Sequence, residues 1–86
     1  MMNQHILFPD IQQWINDGVN FPVQQSGQLI ECWVSKEWLE KEAGHTITSN
    51  KEGLSTFDSL RFDIEEIIEE RIEDECFTEL GHVELK

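Results

Sequence analysis

Between residues 19 and 34 the apolar side chains recur with a period of two, and one turn interrupts the pattern. Val19, Phe21 and Val23 alternate with Asn20, Pro22 and Gln24; beyond Ser26-Gly27, Ile30, Cys32 and Val34 alternate with Leu29, Glu31 and Trp33. Successive side chains of a strand point to opposite faces, so each run sets three apolar groups on one side. Glycine tolerates positive φ, and so short a loop joins the two runs as an antiparallel hairpin. A chain holding this hairpin must cover its apolar face. Pro22 has no N–H to give to a ladder, which predicts that its strand lies at an edge or is bulged there.

The cover is encoded further on. Leu54, Phe57, Leu60, Ile64, Ile67, Ile68 and Ile72 follow one another at helical spacing and make one continuous stripe. Ser49 and Glu52 have the spacing of a capping box at its start. The pattern predicts a single helix from Ser49 to about Cys76, roughly 40 Å long at ~1.5 Å per residue, lying across the sheet. Gly53 is its weak point, costing ~1 kcal/mol relative to alanine. A shorter helix is predicted from an N-cap at Ser35 to Ala43, with Trp38, Leu39 and Ala43 inward and Gly44 ending it in left-handed conformation. Ile47 anchors the connection that follows. Gln4 to Phe8, stopped by Pro9-Asp10, and residues 80 to 85 read as further strands, and Asp17-Gly18 as a turn.

A chain of 86 residues has room for one domain, and burying about two-thirds of its unfolded surface gives it one modest core. The expected fold is α+β over residues 1–86: a small antiparallel sheet of about four strands, in the chain order β-β-β-α-α-β, with both helices on one face. Eighteen acidic residues against six basic ones give a formal charge of −12. Phosphate contacts need clustered Lys and Arg, so nucleic acid is not an expected partner, and repulsion also disfavours an anionic membrane surface. The apolar stretch Ile6-Leu7-Phe8 is far shorter than a signal-peptide core, and nothing approaches a membrane span. A cytoplasmic location is expected, with Cys32 and Cys76 reduced.

The motifs Phe8-Pro9-Asp10, Val19-x-Phe21-Pro22, Gly27, Ile30-x-Cys32-x-Val34-Ser35, Glu37 and Leu39 resemble the pattern of a small bacterial family, Domain of Unknown Function 1488. Phe57, Arg61, Ile64 and Glu65 continue the resemblance. It covers nearly the whole chain and implies a compact α+β domain with an antiparallel sheet. Its motifs are turns and core positions, and it brings no catalytic residues to carry over.

The residues themselves offer few chemical constellations. Asp63 to Glu79 hold nine carboxylates and one base, Arg71. A solvated face opposite the isoleucines explains them, and their linear charge density is about half that of duplex DNA (one charge per ~1.7 Å). Glu66 with Glu69, or Glu70 with Glu73, could meet a hard cation, but the long helix carries no histidine to complete a bundle-type site, and no cofactor is expected. His5, His45 and His82 lie in separate segments without ligand spacing. Cys32, on an apolar strand face, is expected to be inert, and acidic neighbours disfavour a thiolate at Cys76. No Cys–His pair or glycine-rich phosphate loop is present.

Four residues remain as candidates for contact: Trp14, Trp33, Arg61 and Glu65. Arg61 lies on the stripe side of a helix poor in bases. An ion pair with Glu65 or with an acidic residue elsewhere on the sheet is the plain assignment, and an anchor for an anionic or carbonyl group the functional one. Trp33 faces away from the Ile30-Cys32-Val34 set, so either both sheet faces are covered or an aromatic ring stands exposed. The expected function is a non-enzymatic protein-interaction or homodimerising module. The alternatives are a small-ligand binder or enzyme with a pocket beside Arg61, and an acidic decoy for a nucleic-acid-binding protein.

Overall fold

The computed structural model describes residues 6–86. Two short strands, β1 (Ile6–Leu7) and β2 (Gln13–Trp14), precede the long hairpin β3 (Gly18–Gln25) and β4 (Gln28–Ser35). Helices α1 (Lys36–Ala43), α2 (Asn50–Ser59) and α3 (Arg61–Glu73) follow, and β5 (Val83–Leu85) closes the sheet. The strands are ordered β1-β3-β4-β5, with β2 also pairing β3. The fold is α+β, with a mixed sheet of five strands and three helices.

The hairpin forms as its alternation requires. Gln25 pairs with Gln28 across Ser26 and Gly27, whose φ values of 51° and 84° are the paired positive angles of a type I′ turn. Val19, Phe21, Val23, Ile30, Cys32 and Val34 are all buried. Leu39 of α1, Phe57 of α2, and Ile64, Ile68 and Ile72 of α3 join them in one cluster. Phe21 and Phe57 meet across it with ring centroids 5.0 Å apart. All three helices therefore pack on the same sheet face, and among the described residues no element covers the other, open face.

Pro22 interrupts an edge that is otherwise paired. β3 holds β4 on one side, and on the other β1 pairs at Gln24–Gln25 and β2 at Val19–Asn20. The residues flanking a two-residue turn exchange hydrogen bonds, and such pairs alternate along the ladder. Counting back from Gln25, Pro22 takes a position where its missing N–H faces the outer edge. That is the gap between β1 and β2, which residues 8–12 span.

Two local events redraw the rest of the expected outline. The single long helix is broken at Leu60, with φ −103° and ψ 11°. The hydroxyl of Ser59 donates to the Thr56 carbonyl at 2.8 Å, and that of Thr56 to Glu52 at 2.8 Å. The Leu60 N–H is then shared between the carbonyls of Thr56 and Phe57, both at 3.1 Å. Hydroxyls that bond back to the preceding turn compete with the ladder and bend a helix. Three helices thus replace two. α3 stops before Cys76 because Glu75 turns left-handed at φ 56°. Cys76 N–H reaches Arg71 O at 2.8 Å and Glu75 N–H reaches Ile72 O at 3.0 Å, the paired bonds of a Schellman ending.

The second event is the return of the chain. β5 runs parallel to β4, pairing Cys32 with Val83 and Val34 with Leu85. The sheet is mixed where an antiparallel one was expected, because the helical excursion brings the chain back to the end of the sheet where β4 begins. The first and last strands do not pair: β1 and β5 lie on opposite sides of the β3–β4 pair. His5 itself, with the start of the Gln4–Phe8 strand, lies outside the described residues. No helix among the described residues is long and apolar enough to cross a membrane.

Candidate functional site

Arg61 opens α3 and points at the loop that spans the Pro22 gap. Its Nε donates to Glu65 Oε2 at 2.8 Å, the i,i+4 pair readable from the spacing. One terminal nitrogen reaches Gln12 Oε1 at 2.9 Å and Asp10 Oδ1 at 3.4 Å. The other reaches the carbonyls of Pro9 at 2.9 Å and Phe8 at 3.3 Å. A guanidinium has five N–H donors, and here each has an acceptor within the chain. The group also lies 6.0 Å from the Phe57 ring centre. Arg61 and Glu65 thus clamp residues 8–12, whose backbone has no strand partner, to the start of α3. The guanidinium has no donor left to offer a ligand.

The two candidate tryptophans part company. Trp14 pairs with Val19 and so shares the helix side of the sheet. A Cβ on Gly53 would overlap its ring, so α2 approaches β2 through a glycine. This explains the helix-weakening residue in the first turn of α2. Trp33 lies on the open side, and its Nε1 donates to the Ile15 carbonyl at 2.9 Å. A Cβ on Gly18 would sit 2.5 Å from both Trp33 Nε1 and the Val34 carbonyl. The turn before Gly18 is made by Asn16 and Asp17, at φ 55° and 56°. Asp17-Gly18 does mark a turn, but Gly18 is there for the close approach of the indole rather than for a positive φ.

Cross-strand register lays out the open face in rows. Leu7, Gln24 and Leu29 form one, Pro22 and Glu31 a second, and Gln13, Asn20, Trp33 and Glu84 a third. Leu7 and Leu29 are 56% and 63% exposed. Asn20, Trp33 and Glu84 of the third row floor a depression of about 310 Å³ that Ile15, Asn16 and His82 also line. Its amide Asn20 Nδ2 donates to the Cys32 carbonyl at 3.3 Å, and Glu84 Oε1 holds Lys86 Nζ at 3.2 Å. The residues that join Trp33 here were not marked by the sequence, since only the β4–β5 register brings residues 82–84 beside residue 33.

Elsewhere the polar groups serve the fold. Burial, aided by the charge of Glu31, pushes the Cys32 thiol up to about 12 and leaves it a buried hydrophobe. Cys76 is exposed. Ser49 caps α2 by accepting from Glu52 N–H at 3.1 Å, but the Glu52 carboxylate turns to the N–H and hydroxyl of Thr48. Those bonds hold its carboxyl below the usual range. His45 Nδ1 lies 3.9 Å from Glu52 Oε2. Among the described residues, no three His, Cys, Asp or Glu side chains are gathered as a metal site.

Residues 6–85 match the family described as "Protein of unknown function (DUF1488)". The chain belongs to this family. A crystal structure of a DUF1488 protein of unknown function from Shewanella loihica PV-4 is 37% identical in sequence. It superposes with a TM-score of 0.94, covering 99% of this chain and 96% of that one. Among curated proteins no relative matches the chain. Membership of DUF1488 accounts for the shared architecture, and the residues from which the resemblance was read fall where that architecture needs them. Pro22 sits at the ladder gap, Gly27 at the turn, Ser35 accepts from Trp38 N–H at 3.0 Å as an N-cap, and Arg61 clamps the loop.

Proposed function

We propose that this DUF1488 protein is a non-enzymatic interaction module of the bacterial cytoplasm that docks a partner protein on the open face of its sheet. One observation carries the reading. Among the described residues nothing covers the face opposite the helices, and it presents two leucines more than half exposed and, two rows along, a half-buried tryptophan. An exposed apolar surface rimmed by polar groups is a mark of a contact site. The sheet edges are less available: β1, β2 and the clamped loop occupy the outer side of β3, and on β5 Arg71 donates to the Glu84 carbonyl at 3.4 Å. A ligand anchor at Arg61 has no such support, because the guanidinium is already saturated.

A net charge of −12 attracts a basic partner and repels a second copy at long range. One feature favours a homodimer as the second reading: the outward strand positions hold few charges, Glu31 and the Lys86-paired Glu84. Two copies could meet there without stacking the carboxylates of α3.

Leu29→Glu places a charge at the β4 end of the leucine row, on its most exposed leucine, and at an exposed position leaves folding within ~0.5 kcal/mol. Tagged wild type is expected to retain a partner from native lysate, Leu29→Glu to lose it, and the α3 control Glu70→Gln to keep it. Light scattering on the purified protein separates the homodimer, which Leu29→Glu would convert to monomer. Capture and mass both indifferent to Leu29→Glu would end the reading.

A further inference from the structure

We propose that the depression floored by Trp33 binds the cationic head of a lysine or arginine side chain presented by the partner. The inference rests on the docking role of the open face and names what the partner brings to it. Three features of the site converge on a cation. The indole is fixed, because its N–H is bonded to Ile15 at 2.9 Å, and its ring lines the depression. Tryptophan offers the best aromatic face for an ammonium or guanidinium group. Glu84 stands in the adjoining strand, in register with Trp33, and supplies the opposite charge. Asn16 and Asn20 line the same depression with amide groups.

The carboxylate already shows the chemistry in small. Glu84 Oε1 holds the ammonium of Lys86 at 3.2 Å, with that lysine side chain 70% exposed. An ion pair so open to water contributes little to stability and is displaced at little cost. Lys86 therefore acts as a weak internal competitor for Glu84. The volume of about 310 Å³ lies at the lower end for small-molecule sites, a scale suited to one side chain rather than to a larger ligand. The surrounding field of a −12 chain raises the local concentration of cations and disfavours anions.

The test uses small probes, so that it does not depend on identifying the partner. N-acetyl-lysine methylamide and N-acetyl-arginine methylamide are titrated into ¹⁵N-labelled protein, with the norleucine analogue as a neutral control. Saturable shifts are expected at the Trp33 indole N–H and the Asn20 side-chain amide, and none of that size with norleucine. Glu84→Gln is expected to weaken binding at least fivefold, and Lys86→Ala to tighten it two- to threefold. Equal binding of norleucine, unchanged affinity in Glu84→Gln, or shifts that spread over α3 without saturating would each overturn the proposal. Leu29→Glu separates the two levels. If it abolishes partner capture while Glu84→Gln leaves probe binding unchanged, the docking face stands and the cation site falls. If the probes bind as described but capture ignores Leu29→Glu, the docking reading is the one that fails.

Discussion

Trp14 and Trp33 each lie against a glycine, yet they do different work. Trp14 is held between β2 and α2, with Gly53 beneath its ring and the core beside it. Trp33 lies over Gly18 on the far side of the same sheet, with its N–H bonded and its ring facing a depression. In both places the glycine is needed for close approach rather than for an unusual dihedral. The difference is what covers the second face of the ring. Helices enclose one tryptophan as a strut, while no helix among the described residues packs over the other, which leaves it as a floor.

The comparison predicts unequal costs of removal. Trp14→Ala should destabilise by about 2–3 kcal/mol, below the ~3–5 kcal/mol of a fully buried tryptophan because the ring is half-buried. Trp33→Ala should cost about 1 kcal/mol, since less packing is lost on an open face. Urea unfolding of both variants measures the gap. Equal costs would mean that the open face contributes as much to folding as the closed one.

The glycines sharpen the point. Gly18→Ala is expected to cost about 1–2 kcal/mol, because the new methyl meets a backbone carbonyl that cannot rotate away. Gly53→Ala sets an overlap with Trp14 against a helix-propensity gain of ~1 kcal/mol. In wild type the overlap should win. In a Trp14→Ala background the same change should stabilise, and a double-mutant cycle in urea reads that reversal of sign. Additive effects would show that Trp14 does not press on α2.

These contacts also mark where the sequence stopped being readable. The hairpin and the caps at Ser35, Gly44 and Ser49 were legible because neighbours within a few residues determine them. The break at Leu60 was not, since apolar spacing continues through it and only the hydroxyls of Thr56 and Ser59 redirect the backbone. The parallel approach of β5 depends on where α3 ends, and a left-handed Glu75 gives no signal of the kind a glycine would. Arg61 was visible as a candidate and its pair with Glu65 followed from spacing. Its remaining acceptors, 49 to 53 residues away in the chain, could not be foreseen. For the same reason Trp33 could be seen to face outward, but His82 and Glu84 could not be placed beside it.

Cys32, next to Trp33 in the chain but on the opposite face, gives the closed side a readout of its own. Its thiol is shifted from an ordinary value of 9.0 to about 12. A raised acid pKa contributes stability that is complete below the unfolded value and lost as pH rises through the folded one. The unfolded chain ionises first, so stability should fall from about pH 9 toward pH 12, by about 1.4 kcal/mol per pH unit. Cys32→Ala should remove that alkaline slope. Urea midpoints collected between pH 7.5 and 10.5 test it, and an unchanged slope in the variant would place the thiol in water.

Trp33→Phe is the mildest change and the one that bears most closely on the open face. Phenylalanine keeps a ring over Gly18 but loses the N–H that bonds the Ile15 carbonyl. That bond lies at an exposed position, so water can replace the donor, and the loss should be near ~0.5 kcal/mol, the low end for a hydrogen bond. The ring that remains is a poorer face for a cation, so lysine and arginine probes should bind less tightly while capture through the Leu29 end persists. A stability loss above about 1.5 kcal/mol would mean that the indole N–H holds the β2–β3 turn in place. Trp33 would then be a second strut, and the contrast with Trp14 would disappear.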